Sequence, residues 1–194
     1  MPNITFGILA LNAQPFLHAN LRALYPFANQ IIVVGGAVRS AAAMASPAGH
    51  SIDGTLEMLQ RFQTEEDPEN KVQLVQARDA GYVDGYWPEK DEMSQAYAER
   101  TTGDWLWQVD ADEFYLPEDM EAVIGLLKGC PEITTISFPY LEFYGGFDYV
   151  ITGKWHLHHH PRFHRLFRWR SGYQYISHRP PTVVDDQDRA QPAT

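Results

Sequence analysis

The sequence predicts an α/β fold in which a mostly parallel central sheet carries helices on both faces. Apolar runs typical of buried strands alternate along the chain with segments whose apolar residues recur at helical spacing. Such alternation is typical of a parallel sheet covered by its connecting helices. A chain of 194 residues with 44% hydrophobic content can bury one sizeable core, so we expect a single domain over residues 1–194.

The first part of the chain supplies three strands and two helices. The run ITFGILAL predicts the first strand, and Pro15 followed by apolar residues at helical spacing up to Leu24 predicts the first helix. QIIVVGG and KVQLVQA predict the second and third strands. Between them, DGTLEMLQRF predicts a helix with Asp53 near its N-terminus.

The next segments continue the alternation. Residues Glu89 to Arg100 predict a third helix, and DWLWQV predicts a strand that ends at Asp110. Pro117 then opens a fourth helix, which Gly129 closes. The order of elements is therefore that of a sheet built from repeated strand–helix units.

Composition excludes several classes of function. The formal net charge is -10, and the basic residues concentrate only between Arg162 and Arg170, which argues against nucleic-acid binding and against anionic membranes. The apolar stretches are too short to span a bilayer, so no transmembrane segment is expected. The single Cys130 cannot form an internal disulfide, and no charged-then-apolar signal segment opens the chain. We therefore expect a cytoplasmic protein.

Two carboxylates stand at the end of the fourth predicted strand. Ligands of open α/β sheets bind beyond the carboxyl ends of the strands, where Asn12, Gly35 and Asp110 fall. Asp110 and Asp112 form an Asp-x-Asp pair that can hold Mg²⁺ or Mn²⁺ through oxygen atoms while the metal also binds water and a diphosphate. The alternative is that Asp110 caps a turn and Asp112 is merely solvated.

Four segments in a fixed order resemble a known family. The segments ALN, SIDGT, EKDEMSQAYAERTTGDWLWQVDADEF and HRLFRWRSGYQYISH occur in the order seen in family 2 glycosyltransferases, and the chain is similar to that family over nearly its whole length. The resemblance implies the Rossmann-like GT-A fold, with a smaller C-terminal β region on the acceptor side. It also implies a nucleotide-sugar-binding half over residues 1–115, an acceptor-side half over 116–185 and a polar tail over 186–194.

The same resemblance implies a set of site residues. It assigns nucleotide-sugar binding to Ala10, Leu11, Asn12, Asp53, Lys90, Asp110 and Ala111. It assigns the Mn²⁺ or Mg²⁺ ion to Asp110, Asp112 and His178. Where the family often carries an acidic residue that contacts the base, just after the second strand, this chain has Gly35 and Gly36. Asp53 could equally be an ordinary helix N-cap.

The second half must supply a base if a hydroxyl acceptor attacks the sugar by inverting displacement. Glu142 and Asp148, in the aromatic stretch PYLEFYGGFDYV, are the leading candidates, and Asp185 and Asp186 are further ones. The Tyr and Phe rings of this stretch suit a sugar ring, and the alternative is an aromatic core strand.

Basic and histidine-rich segments in the second half have several interpretations. His156, His158 and His160 would share one face of a strand, but we expect no structural zinc there because the stretch contains no cysteine. Arg165 and Arg168 could approach the diphosphate or acceptor, or could serve as exposed partners of carboxylates.

The resemblance thus implies a metal-dependent glycosyltransferase. Its donor would be a nucleotide diphosphate-sugar. Its acceptor would be a carbohydrate that bears a free hydroxyl group. A metal-dependent nucleotidyltransferase is one alternative, although the sequence has no glycine-rich, lysine-bearing phosphate loop. A non-catalytic nucleotide- or sugar-binding module is the other.

Overall fold

The structure is a computed structural model that describes residues 2–152, 162–185, 187, 189 and 190. Strands and α-helices alternate through its first two thirds, as the sequence predicts. In chain order the elements are β1 Ile4–Ala10, α1 Gln14–Leu24, β2 Gln30–Gly35, α2 Thr55–Glu65, β3 Val72–Gln76, α3 Lys90–Ala98, β4 Trp105–Asp110, α4 Pro117–Gly129, β5 Thr135–Phe138, β6 Phe163–Arg168, β7 Gln174–Ser177 and β8 Thr182–Val184.

Six of these strands form one sheet in the order β3-β2-β1-β4-β6-β5. Strands β1 to β4 are mutually parallel where they pair. Strand β6 runs antiparallel to β4, and β5 runs antiparallel to β6. Strands β7 and β8 form a separate antiparallel pair. The predicted mostly parallel sheet with a smaller C-terminal β region is confirmed.

Helices cover both faces of the sheet, which explains why its central strands are apolar in nearly every position. On one face, α1, α2 and α4 pack on β1 and β4 through a cluster that includes Leu17, Phe62 and Ile124. On the other face, α3 packs on β2 and β4 through a cluster that includes Met93 and Tyr97. The prediction of helices on both faces is therefore confirmed.

Strand β1 approaches α3 unusually closely at Gly7. A Cβ atom built on Gly7 would lie 2.6 Å from Cδ2 of Tyr97, a distance that real Cβ atoms do not show. Tyr97 is fully buried, so its ring has no free space to move into. Glycine at position 7 thus sets the spacing between the sheet and α3.

We expect Gly7→Ala to lower the free energy of unfolding by about 1–3 kcal/mol, because overpacking displaces side chains or backbone. Gly125→Ala is the matched control, since a Cβ there meets nothing within 4 Å and lies in the interior of α4. Gly125→Ala should raise the free energy of unfolding by up to about 1 kcal/mol, because alanine has a higher helix propensity than glycine. Urea denaturation measures both, and a Gly7→Ala variant as stable as the wild type would contradict the packing argument.

Candidate functional site

The carboxyl ends of the parallel strands meet at one edge of the sheet. Asp110 at the end of β4 is in register with Leu9 of β1, and Ala10 is in register with Gly35 of β2. The strand order reverses between β1 and β4, because β2 and β3 extend to one side of β1 while β4 lies on the other. Open α/β sheets bind ligands in the crevice at such a reversal. Asp110 therefore lies where a ligand is expected.

Asp110 is the centre of a network of ion pairs. Its Oδ2 atom accepts hydrogen bonds from Nη2 of Arg165 at 3.0 Å and from Nη2 of Arg179 at 2.6 Å. Arg165 also donates to the Glu113 carboxylate, and the backbone N–H of Asp110 donates to Oε2 of Glu113 at 3.1 Å. The Arg165 side chain is only 5% exposed, whereas that of Arg179 is 63% exposed. One arginine is thus part of the interior and the other lies at the surface.

The network separates the pKa values of the two carboxyl groups. Burial alone would raise the pKa of Asp110, but the Arg165 and Arg179 charges outweigh it and hold the pKa below its usual value. Burial raises the pKa of Glu113, with Arg165 opposing and Asp110 adding to the increase. Asp110 is consequently the carboxylate that stays ionised to lower pH, as a group that binds cations must.

His178 lies beneath this network, buried against α3 and β4. Its Nδ1 atom is 2.9 Å from Oγ of Ser94 and 3.4 Å from Nε2 of Gln108, while its backbone N–H donates to Oδ1 of Asp91 at 2.6 Å. Burial lowers the pKa of His178 to about 4, against the opposing effect of Asp110. The imidazole is therefore neutral at pH 7, the form in which histidine binds metals.

Two other predicted residues lie at the surface of the same region. Lys90 is exposed at the start of α3, and its charge contributes to the low pKa of His178, which places it close to that ring. Asp112 is exposed in the turn in which the Glu113 N–H donates to the Asp110 carbonyl at 2.9 Å. Both side chains are thus accessible to a ligand.

These residues suit a divalent cation in their chemistry. Within residues 2–152 and 162–185, no three His, Cys, Asp or Glu side chains already form a group that could hold a metal ion. Mg²⁺ at nucleotide sites usually binds only one or two carboxylates and takes its other ligands from water and phosphate oxygens. Asp110 and the exposed Asp112 supply the one or two carboxylates that such an ion needs. The site thus fits an ion that binds together with a diphosphate.

Asn12 has a role within the protein itself. Its backbone φ is 51°, in the left-handed region that Asn tolerates better than most residues. The side-chain Nδ2 donates to the Met44 carbonyl at 2.7 Å, and Oδ1 accepts from the Ile52 N–H at 2.9 Å. Asn12 therefore holds the loop between β2 and α2 against the end of β1.

Asp53 connects the beginnings of two helices. One carboxylate oxygen accepts from the Gln14 N–H at 3.0 Å, and the other accepts from the N–H and hydroxyl of Thr55 at 3.0 and 2.6 Å. Burial would raise its pKa, but these hydrogen bonds lower it overall. The N-cap residue of α2 is Gly54, with no side-chain cap hydrogen bond, so Asp53 is not the ordinary N-cap that the sequence left open. Nucleotide binding by Asp53 remains a prediction.

A narrow cleft lies over the carboxyl ends of β1, β2 and β3. A side chain at Gly36 would be strained, because the φ of Gly36 is 106° and a Cβ would lie 3.0 Å from the Gly49 carbonyl oxygen. The cleft is lined by both apolar and polar groups, namely Ala10, Gly35, Gly36, His50, Ser51, Thr55, Leu56, Leu59, Leu74 and Gln76. His50, Ser51, Thr55 and Gln76 supply the polar side chains of this cleft.

Glu142 and Asp148 are exposed on a short hairpin. Phe143 and Val150 form its bridge, and the Phe147 ring contacts Phe114, in the loop after Asp110, at 6.2 Å between centroids. The aromatic residues of this segment are largely exposed, so the alternative of an aromatic core strand is wrong. The hairpin carrying both base candidates therefore contacts the loop of the Asp-x-Asp pair.

The remaining predicted residues lie elsewhere or outside the described residues. Asp185 is paired with Arg189, whose hydrogen bonds lower the pKa of that carboxyl group. Asp186 and the His156 to His160 cluster lie outside the described residues, so the expectation of no structural zinc stays a prediction.

The two arginines considered from sequence have different surroundings. Arg168 is in register with Trp105 at the start of β4, where it lies over the Trp105 ring and donates to the Pro131 carbonyl. Because β6 runs antiparallel to β4, Arg165 instead lies near the end of β4 that carries Asp110. Arg168 is therefore remote from the crevice.

The contact of Arg179 with Asp110 was not predicted from the sequence, because no local sequence pattern identifies Arg179 as a site residue.

No helix of the described residues is both long enough and apolar enough to cross a membrane.

No protein-family model matches the sequence, and a search of curated proteins found no significant match.

Solved structures resemble the chain in fold. The S. aureus protein TarS, residues 1–349, is 11% identical with a TM-score of 0.52, over 74% of this chain and 37% of that one. TarS has also been solved with UDP-GlcNAc. The mannosyltransferase PcManGT from Pyrobaculum calidifontis, solved with GDP-Man and Mn²⁺, is 20% identical with a TM-score of 0.51, over 71% of this chain and 36% of that one. The chain thus spans little more than a third of the length of either protein. It has the Rossmann-like GT-A fold.

Proposed function

We propose that the chain is a glycosyltransferase that moves a sugar from a nucleotide diphosphate-sugar to a hydroxyl-bearing acceptor, with the aid of Mn²⁺ or Mg²⁺. The observation that carries this proposal is the position of Asp110, an ionised carboxylate at the reversal of strand order in a GT-A sheet. The nucleotide-sugars bound to TarS and PcManGT, and the Mn²⁺ bound to PcManGT, support it.

In the proposed arrangement, residues 1–115 bind the donor. The nucleotide would lie over the carboxyl ends of β1 to β3, against the backbone of Ala10 and Leu11 and the loop that Asn12 holds. Asp110, Asp112 and His178 would hold the cation, and Lys90 would approach the phosphates. When bound, the cation neutralises charge on the departing diphosphate.

Residues 116–185 would position the acceptor for a direct displacement. The acceptor oxygen forms a bond to the anomeric carbon while the bond from that carbon to the diphosphate oxygen breaks, so the configuration inverts. The acceptor proton passes to a carboxylate, for which Glu142 and Asp148 remain the candidates. Exposed Tyr and Phe rings beside them offer flat faces to a sugar acceptor.

A thermal-shift screen of UDP- and GDP-sugars, with and without Mn²⁺, tests donor binding. A donor present at 100 times its Kd should stabilise the fold by about 2.7 kcal/mol, which corresponds to an increase in Tm of about 5–10 °C for a chain of this size. We expect the increase to depend on Mn²⁺ and to be lost in Asp112→Asn without loss of folding.

Asp104→Asn is the matched control, because Asp104 is an exposed carboxylate next to the opposite end of β4. It should bind donor as the wild type does. Normal donor and Mn²⁺ binding by Asp112→Asn would contradict the metal assignment. Mn²⁺-dependent donor binding with neither hydrolysis nor transfer would instead favour the non-catalytic binding module.

A further inference from the structure

Two arginines share one oxygen of Asp110 but are held very differently. Arg165 is buried and also pairs with Glu113, so its guanidinium is fixed from two sides. Arg179 reaches the same Oδ2 atom from a side chain that is 63% exposed. Loss of the Arg179 contact would therefore leave Arg165 in place and open one side of the Asp110 carboxylate to another cation.

The four charged groups of the Asp110 network balance only while Arg179 is present. The two guanidinium groups of Arg165 and Arg179 face the two carboxylates of Asp110 and Glu113. A divalent cation added to this group would place two further positive charges beside Arg179. Since like charges a few ångströms apart repel, the cation and Arg179 compete for the same oxygen.

We propose that Arg179 and the divalent cation are alternative partners of Asp110, and that Arg179 passes to the diphosphate of the donor when the cation binds. The inference rests on the proposed function, since it assigns Arg179 to the donor diphosphate. A planar guanidinium binds phosphate oxygens in pairs, and the exposed side chain of Arg179 is free to reorient. Arg179 thus keeps an anionic partner in both states.

This exchange makes binding of the cation and of the diphosphate mutually dependent. Without a nucleotide, the cation must displace Arg179 from Asp110 and leave it without its carboxylate. With a nucleotide present, the displaced guanidinium acquires a new anionic partner. Each ligand should therefore strengthen binding of the other by the same factor, typically about 5- to 150-fold for coupled sites.

Electron paramagnetic resonance of free Mn²⁺ measures this coupling without any catalytic turnover. Titrations are made with Mn²⁺ alone and with Mn²⁺ plus UDP or GDP, on the wild type and on Arg179→Gln. We expect Arg179→Gln to bind Mn²⁺ alone at least about 5-fold more tightly than the wild type, because the competing charge is gone. The strengthening of Mn²⁺ binding by nucleotide should fall by a similar factor.

Two control variants separate the effect of the Arg179 charge on Mn²⁺ affinity from the effect of a general structural change. Arg179→Lys keeps the charge and should bind Mn²⁺ alone as weakly as the wild type. Arg22→Gln removes an arginine that is 62% exposed and paired with Glu66, the residue after α2, and it should leave Mn²⁺ binding unchanged. Equal affinity of the wild type and Arg179→Gln for Mn²⁺ alone, including no binding by either, would overturn the inference. Tighter Mn²⁺ binding by Arg179→Gln supports it even where no sugar transfer is found, so the proposed function can fail separately.

Discussion

Replacing Arg165 with methionine is expected to lower the free energy of unfolding by about 3 kcal/mol. The change keeps much of the aliphatic volume but leaves Asp110 and Glu113 as two largely buried carboxylates with less positive charge beside them. Breaking a buried ion pair by removing one partner is costly because the other charge loses its compensation. Urea denaturation measures the loss as a shift of the midpoint.

Two further variants make this prediction specific. Arg22→Met breaks the exposed pair with Glu66 and should leave the urea midpoint nearly unchanged. Adding Glu113→Gln to Arg165→Met should recover part of the loss, because it removes one of the uncompensated charges. A loss below about 1 kcal/mol in Arg165→Met, or no recovery in the double variant, would show that the network contributes little to stability.

Removing the proposed catalytic base, Glu142 or Asp148, should reduce turnover by about 10²- to 10⁴-fold while donor affinity stays nearly constant. An alcohol is a poor nucleophile until its proton has an acceptor, so Glu142→Gln or Asp148→Asn should affect the chemical step alone. Steady-state kinetics with the donor found by thermal shift measures turnover. A direct measurement of the donor Kd measures affinity, so the two effects can be told apart.

Glu132→Gln provides the control, since Glu132 is an exposed carboxylate just after α4. Loss of both turnover and donor affinity in a hairpin variant would mean that the residue supports the donor site rather than the proton transfer. Wild-type turnover in both single variants and in the double variant would exclude these residues as the base, and Asp185 and Asp186 would be tested next.

The arrangement of secondary structure could be predicted because it follows from local patterns. Strand β1 is apolar in nearly every position since both of its faces are covered, and Pro117 and Gly129 bound α4 as predicted. The carboxyl ends of parallel strands always meet at one edge, so the place of Asp110 also followed from sequence. The fold and this one feature of the site needed no knowledge of distant contacts.

The partners of Asp110 could be decided only by the tertiary structure. Arg165 and Arg168 lie three positions apart on β6, and the sequence offered the same two roles for both. The antiparallel register of β6 against β4 puts Arg165 beside Asp110 and Arg168 beside Trp105. Register depends on pairing between strands far apart in sequence, and no local periodicity encodes it.

The sequence by itself determined that this chain builds a mostly parallel sheet with carboxylates at the end of its fourth strand. The tertiary structure decided that Asp110 is held by a buried and an exposed arginine, that Asn12 braces a loop and that Asp53 joins two helix starts. The reason is physical: strand and helix propensities act over a few neighbouring residues, whereas ion pairs form between side chains that only the folded topology brings within a few ångströms.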